Sequence, residues 1–125
     1  MALISESRIY NDLLDLAEKI FIITSSMNKQ YRNPIGRRME DAIMCMADNM
    51  LLANFSDYEN KVKYLTDTMV CYERLQFAIN IGIKVKCISY KQQAQVSLIL
   101  SQIGKQITGL RKYAEKKLRE KKNGL

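Results

Sequence analysis

The stretch SYKQQAQVSLILSQIGKQITGLRKYA, residues 89–114, decides the fold. Its apolar side chains recur at alternating spacings of three and four residues, which is the periodicity of a buried seam on an α-helix. The seam consists of Val96, Ile99, Ile103, Ile107, Leu110 and Ala114. Ser89 can cap this helix, because a serine hydroxyl accepts a hydrogen bond from an exposed N–H of the first turn. The stretch predicts one long amphipathic helix that packs against others.

Three earlier segments repeat this pattern. They run from Glu6 to Asn28, from Pro34 to about Asn54, and from a cap at Ser56 or Asp57 to near Gly82. Their expected seams are Ile9, Leu13, Leu16, Ile20, Ile23 and Met27, then Met39, Ile43, Met46 and Met50, and finally Val62, Leu65, Met69, Tyr72, Gln76, Ile79 and Ile83. Only in residues 83–88 do apolar and polar side chains alternate with the period of a strand, and no second segment of this kind is present to pair with it. We therefore expect one all-α domain, residues 1–125, folded as an up-down-up-down four-helix bundle.

The entry to the second helix carries an unexpected charge. Asn33 is the expected N-cap, and Pro34 fits the first helical position, where its missing N–H costs nothing. Arg37 and Arg38 then fall in the first turn, although the positive end of the helix macrodipole favours acidic side chains. One interpretation is a local salt bridge to Asp41, three or four residues away. The other is that both arginines are held at the end of the bundle to meet a ligand or a neighbouring subunit.

Helices two and three are apolar over more of their circumference than a lone bundle buries. The apolar residues outside their seams are Met44, Cys45, Leu51 and Leu52 in the second helix and Val70, Cys71 and Phe77 in the third. A helix that is apolar on two sides must be covered on both, and self-association is the simplest cover. The alternative is a single wide core.

The residue types exclude several classes of protein. The chain has no histidine, so the commonest general base and metal ligand is missing, and we expect neither an enzyme nor a cofactor. Its three cysteines are widely spaced and are expected to be reduced core residues of a cytoplasmic protein. The apolar run IFIIT is too short to cross a membrane, and no signal peptide is expected at the start of the sequence.

Positive charge is concentrated at the C-terminal end. The net charge is +7, of which residues 105–125 carry +6, from eight Lys or Arg against two Glu. Lys105, Lys112, Lys116 and Arg119 are seven, four and three residues apart, so they line one face of the last helix. One interpretation is a solvated helix end whose cations complement the macrodipole. The other is contact with the phosphates of a nucleic acid, which could use every one of these charges.

Two motifs carry a resemblance to a known family. NPIGRRMEDAIMCMADNML opens helix two and ILSQIGKQITGLRKYAEK closes helix four, in a basic four-helix chain of this length. The chain resembles the accessory variability determinant (Avd) proteins of diversity-generating retroelements, and it is similar to the related proteins encoded in 23S rRNA intervening sequences. The matching residues are Ile35, Gly36, Arg37, Arg38, Met39 and Ala42 in the first motif and Ile103, Gly104, Ile107 and Gly109 in the second.

The resemblance implies a homopentameric ring of bundles that binds nucleic acid, as template RNA or cDNA, and the reverse transcriptase, and that supports mutagenic reverse transcription. The residues expected to bind nucleic acid are Arg37, Arg38, Lys105, Arg111, Lys112, Lys116, Lys117 and Arg119. The alternative function is a homo-oligomeric interaction scaffold or a protein of the rRNA-insert group.

Overall fold

The computed structural model describes residues 7–124, and over those residues the chain forms four helices and no strand. Helix α1 is Arg8–Ser25 and α3 is Tyr58–Lys84. Helix α4 is Tyr90–Asn123. Helix α2 is continuous over residues 29–54, with a first turn Lys29–Tyr31, a π-helical turn Arg32–Gly36 and a regular part Arg37–Asn54. The expected start of the first helix at Glu6 lies outside the described residues.

Each helix packs on its neighbours in the chain, and α4 returns to pack on α1. The short turns between consecutive helices make those neighbours antiparallel, so the helices run alternately up and down. The expectation of an all-helical bundle is confirmed. Ser89 caps α4 as expected, and its hydroxyl and the Gln92 side chain exchange bonds with backbone N–H groups in a capping box.

The predicted seams form most of the core. Every seam residue of α1 and α2 is buried. In α4 every predicted seam residue is buried except Leu110, which is 40% exposed. Leu100, which was not predicted, is buried. In α3 the predicted seam residues Leu65, Tyr72 and Ile79 are buried, whereas Val62, Met69, Gln76 and Ile83 are only half-buried. The face that α3 buries also includes Thr68, Cys71, Leu75, Ala78 and Gly82. The face is wider than one seam because α3 packs on α2 along one side and on α4 along the other.

The predicted start of the second helix is wrong. The backbone is already helical at Lys29, so Asn33 and Pro34 lie inside the helix and do not begin it. Proline has no N–H and its ring clashes with the carbonyl of an ordinary preceding α-turn. The wider π-turn accommodates Pro34, and the N–H of Arg37 donates to the carbonyl of Arg32, five residues earlier. Arg37 and Arg38 therefore lie well inside α2, beyond the reach of the macrodipole, and their charge is not misplaced.

Two cations that the sequence did not single out satisfy helix C-termini. The guanidinium of Arg32 donates to the carbonyls of Ser25 and Met27, at the end of α1, at 3.1 and 3.3 Å. The ammonium of Lys61 donates to the carbonyls of Ala53 and Ser56, at the end of α2, at 2.8 and 2.7 Å. The last carbonyls of a helix lack partners within the helix, so each cation stabilises a turn between two helices.

The expectation of three reduced cysteines is wrong for one pair. Cys45 of α2 and Cys71 of α3 form a disulfide, with their Cα atoms 6.2 Å apart. The close packing of α2 on α3 brings these two positions together although 26 residues separate them in sequence. Cys87 is free. No helix within residues 7–124 is long and apolar enough to span a membrane.

Candidate nucleic-acid interface

Four of the predicted cations lie together on the solvent side of α4. Lys105, Lys112, Lys116 and Arg119 are all exposed. They lie on the opposite side of the helix from the buried residues Ile103 and Ile107. Within the part of the chain that the structure describes, no carboxylate lies within ion-pairing distance of any of the four. We call this set the cation stripe.

Arg111 and Lys117 differ from the cation stripe because each already has a partner. Arg111 Nε lies 3.5 Å from a carboxylate oxygen of Glu115. Lys117 Nζ lies 3.5 Å from Glu120 and 5.5 Å from the ring centroid of Tyr113. The Glu120 carboxylate, followed by Tyr113, raises the pKa of the Lys117 ammonium. Both residues are therefore weaker candidates for phosphate contact than the stripe, although the sequence placed them in the same group.

The basic end of α4 projects beyond the neighbouring helix. Gln106 of α4 donates to the carboxylate of Asp12 in α1, which fixes the level at which these two antiparallel helices pass each other. From that level α1 has only four residues back to Arg8, whereas α4 continues for seventeen to Asn123. At 1.5 Å per residue, α4 extends roughly 20 Å past Arg8. Much of the cation stripe lies on this projecting part.

Arg37 and Arg38 lie elsewhere on the molecule. Both are exposed, and among residues 7–124 neither forms an ion pair, so the expected local pairing with Asp41 is absent there. Arg38 lines a groove between α2 and α3 that also contains Phe77. Arg38 lies at the level of Phe77, and the α3 residues next to Phe77 lie beside the first turns of α4. Lys112 lies several turns further along α4, so Arg38 and Lys112 are separated by roughly 25 Å along the bundle. The structure does not bring the two basic groups together.

A second groove, between α3 and α4, borders the cation stripe. It has a volume of about 700 Å³ and its α4 rim includes Lys105 and Lys112. The remaining polar lining consists of Tyr72, Glu73, Gln76, Asn80, Gln93, Ser97, Ser101 and Thr108. Gly104 and Gly109 also line it. We call this feature the α3/α4 groove.

Tyr72 fixes the depth of the α3/α4 groove. Its hydroxyl donates to the carbonyl of Leu100 at 2.9 Å and accepts a hydrogen bond from Gln76 at 3.0 Å. Burial, and next the Glu73 carboxylate, raise the pKa of the Tyr72 phenol, so the hydroxyl stays protonated at neutral pH. A Cβ at position 104 would lie 2.6 Å from the Tyr72 oxygen, so glycine is required for this close approach.

Apolar side chains remain uncovered, as the sequence predicted. Met44, Leu51 and Leu52 of α2 and Val70 and Phe77 of α3 are exposed, whereas Cys45 is half-buried and Cys71 buried. Phe77, at 67% exposed, is the clearest example. The alternative of a single wide core therefore fails for these five residues. Exposure on this scale is typical of surfaces that contact another protein.

The sequence missed the α3/α4 groove. Its α4 wall is built from small side chains at helical spacing, Ser97, Ser101, Gly104 and Thr108, which is a weak signal because small residues also occur on solvated faces. The α3 wall could not be found at all without knowing which side of α3 faces α4. Comparison with protein-family models and with curated proteins found no match to this chain.

Proposed function

We propose that this protein binds nucleic acid through the phosphates, using the cation stripe of α4. The observation that carries the proposal is that Lys105, Lys112, Lys116 and Arg119 share one exposed face and have no carboxylate partner within residues 7–124. Macrodipole stabilisation reaches only the last turn of a helix, which Lys105 and Lys112 lie far outside. A polyphosphate backbone is a ligand that uses a row of unpaired cations along several turns.

The contacts are expected to be independent of base sequence. Base recognition on a single strand needs exposed aromatic faces for stacking, and Tyr113 is the main aromatic residue beside the stripe. The ammonium of Lys117 already lies over the Tyr113 ring. Phosphate contacts fix position without reading sequence, so discrimination between bases must come from a partner protein.

The partner that we propose is a reverse transcriptase, and the assembly is a homo-oligomeric ring, with five subunits as in the Avd proteins. Support for the partner comes from the resemblance of the two sequence motifs. Support for the assembly comes from the uncovered apolar side chains of α2 and α3, such as Phe77 and Val70. The cytoplasm is proposed as the location on the strength of the resemblance alone, because cytoplasmic thiols reduce disulfides and the Cys45–Cys71 bond therefore does not support it.

The test is binding of a fluorescently labelled RNA, followed by anisotropy at fixed salt. A stripe variant changes all four cations to Gln: Lys105→Gln, Lys112→Gln, Lys116→Gln and Arg119→Gln. A control variant makes the same charge change elsewhere, with Lys29→Gln, Lys63→Gln, Lys84→Gln and Lys91→Gln, which are also exposed and outside any ion pair among residues 7–124. We expect the stripe variant to lose most of the affinity and the control to keep it. Equal losses of affinity in the two variants would show that binding depends only on net charge, and this would contradict a defined interface.

A second candidate is an interaction scaffold without nucleic acid, which the uncovered apolar faces favour. In that case the intact protein assembles but fails to bind RNA at physiological salt. The same anisotropy measurement therefore decides between the two functions.

A further inference from the structure

We infer that the α3/α4 groove seats a single polynucleotide strand, with the sugar–phosphate backbone running along its α4 rim. This inference rests on the proposed function and deepens it, because it names the strandedness of the ligand and the path that it follows. The groove has a volume of about 700 Å³ and lies directly beside the cation stripe.

The charges of the groove place the phosphates on one rim. Lys105 and Lys112 stand on the α4 rim, two turns apart, and neither has a carboxylate partner within residues 7–124. The carboxylate that lines the groove belongs to Glu73, on the α3 side. An extended anionic chain therefore avoids the α3 rim and follows α4. Beyond Lys112 the same path continues over Lys116.

The wall between the rims offers neutral hydrogen-bonding groups. The hydroxyls of Ser101 and Thr108 lie on the α4 wall and the amide of Asn80 on the α3 wall. The Ser97 hydroxyl and the Gln76 amide also line the groove, but they already donate to the Ala94 carbonyl and to Tyr72. Hydroxyls and amides can donate to phosphate and sugar oxygens without a charge to desolvate. The aromatic ring in the groove is that of Tyr72, which is only 7% exposed and cannot stack a base. The bases therefore point outward, and the protein does not recognise their sequence.

Gly109 has no role in the packing of the chain. Gly104 makes room for the Tyr72 hydroxyl, but a Cβ added at Gly109 would meet nothing within 4 Å. Glycine inside a helix costs about 0.5–1 kcal/mol relative to alanine. Position 109 lies between Lys105 and Lys112 on the groove rim. A close approach of the ligand backbone to the helix at this point accounts for the missing side chain.

The width of the groove decides between one strand and two. Helices packed in a bundle have axes about 8–10 Å apart, so the space between their outer faces admits a single extended chain and excludes a duplex. A duplex can still reach the cation stripe from outside, since the stripe faces solvent. The two ligands are therefore expected to respond differently to a side chain that fills the groove.

The experiment uses the full chain with Gly109→Phe, which fills the groove rim and leaves every cation in place. The probes are a labelled 20-nucleotide oligo(U), the matching oligo(dT) and a DNA duplex of equal length, each titrated at 0.1 M salt. The introduced aromatic ring should displace the strand from Lys105 and Lys112, so that two phosphate contacts are lost. Each contact contributes ~0.7 to the slope of log K against log salt, so at 0.1 M salt the affinity for both single strands should fall about 25-fold. Affinity for the duplex is expected to change less than twofold.

Two further variants keep the test decisive. Gly109→Ala adds only a Cβ at the same point, so it should weaken binding of both single strands less than Gly109→Phe does. Ala94→Phe places the same aromatic side chain at an exposed position of α4 outside the groove. Circular dichroism checks that each variant is folded. Normal single-strand binding by Gly109→Phe, or equal losses for single strand and duplex, would overturn the inference and leave the cation stripe standing. Failure of the unaltered protein to bind any probe would overturn the proposed function itself.

Discussion

The hydroxyl of Tyr72 occupies the space that a side chain at position 104 would need. The ideal Cβ of residue 104 lies 2.6 Å from the Tyr72 oxygen and 2.9 Å from its Cζ. Gly104 thus allows α4 to approach α3 closely and lets Tyr72 donate to the Leu100 carbonyl. One glycine in the middle of a helix fixes both the helix spacing and the floor of the α3/α4 groove.

This relationship predicts opposite effects for two glycine-to-alanine changes in one helix. Gly104→Ala forces the Tyr72 ring to move and strains its hydrogen bonds, so it should destabilise the protein by about 1–3 kcal/mol. Gly109→Ala meets no atom within 4 Å and gains helix propensity, so it should stabilise by about 0.5–1 kcal/mol. Urea denaturation of the two variants checks both signs. Equal effects would show that the Tyr72 contact does not constrain α4.

Lys61 is predicted to stabilise the turn between α2 and α3. Its ammonium donates to carbonyls that have no partner within α2, and hydrogen bonds to a charged group are worth about 1.5–3 kcal/mol. Lys61→Met keeps the length of the side chain and should lower the free energy of unfolding by that order. Lys63→Met is the control, because Lys63 is exposed and caps no helix. If both variants unfold at the same urea concentration, Lys61 does not act as a cap.

Arg37 and Arg38 are predicted to contribute little to stability. They lie inside α2, are exposed and have no ion pair among the described residues, so Arg37→Glu with Arg38→Glu should change the free energy of unfolding by less than about 0.5 kcal/mol. Binding to the proposed polymerase partner should fall, because planar guanidinium groups bind carboxylates or phosphates bidentately. Pull-down of the partner and thermal melting separate the two effects. A variant that melts several degrees lower but binds normally would assign these arginines a structural role.

Assembly is predicted to depend on the uncovered side chains of α3. Light scattering of the unaltered protein should give a multiple of the 14.5 kDa chain mass, with five subunits as the expected number. Val70→Lys with Phe77→Lys should give a monomer, because buried ammonium groups oppose the contact. Tyr90→Lys with Leu98→Lys changes two residues of α4 that are more exposed than Val70 and Phe77, and it should leave the assembly intact. A monomeric unaltered protein would contradict the proposed ring.

The fold could be predicted where one physical signal dominates. Hydrophobic periodicity placed four helices and most of the core, and Ser89 marked its helix start correctly. The predicted start of α2 was wrong because proline is usually found in the first turn of a helix. Here Pro34 lies inside the helix, in a π-turn, and nothing in the local sequence pattern indicated that turn. The Cys45–Cys71 pair and the α3/α4 groove depend on which helix faces which, and a single sequence does not contain that information in its local pattern.

The candidate site was predicted in part. The shared face of Lys105, Lys112, Lys116 and Arg119 followed directly from their spacing on a helix. The partners of Arg111 and Lys117 are also local, four and three residues away, but side-chain spacing alone does not tell which cations pair and which stay free. The separation of Arg38 from the stripe required the structure.

The salt dependence of duplex DNA binding tests the central claim, phosphate contact by the cation stripe, most directly. The logarithm of the binding constant falls with the logarithm of salt concentration by ~0.9 for each phosphate contacted. We predict that replacing Lys105, Lys112, Lys116 and Arg119 with Gln flattens this slope by roughly 3 to 4 units, whereas the Lys29, Lys63, Lys84 and Lys91 control leaves it unchanged. An unchanged slope in the stripe variant would contradict phosphate contact and make these residues a solvated helix end.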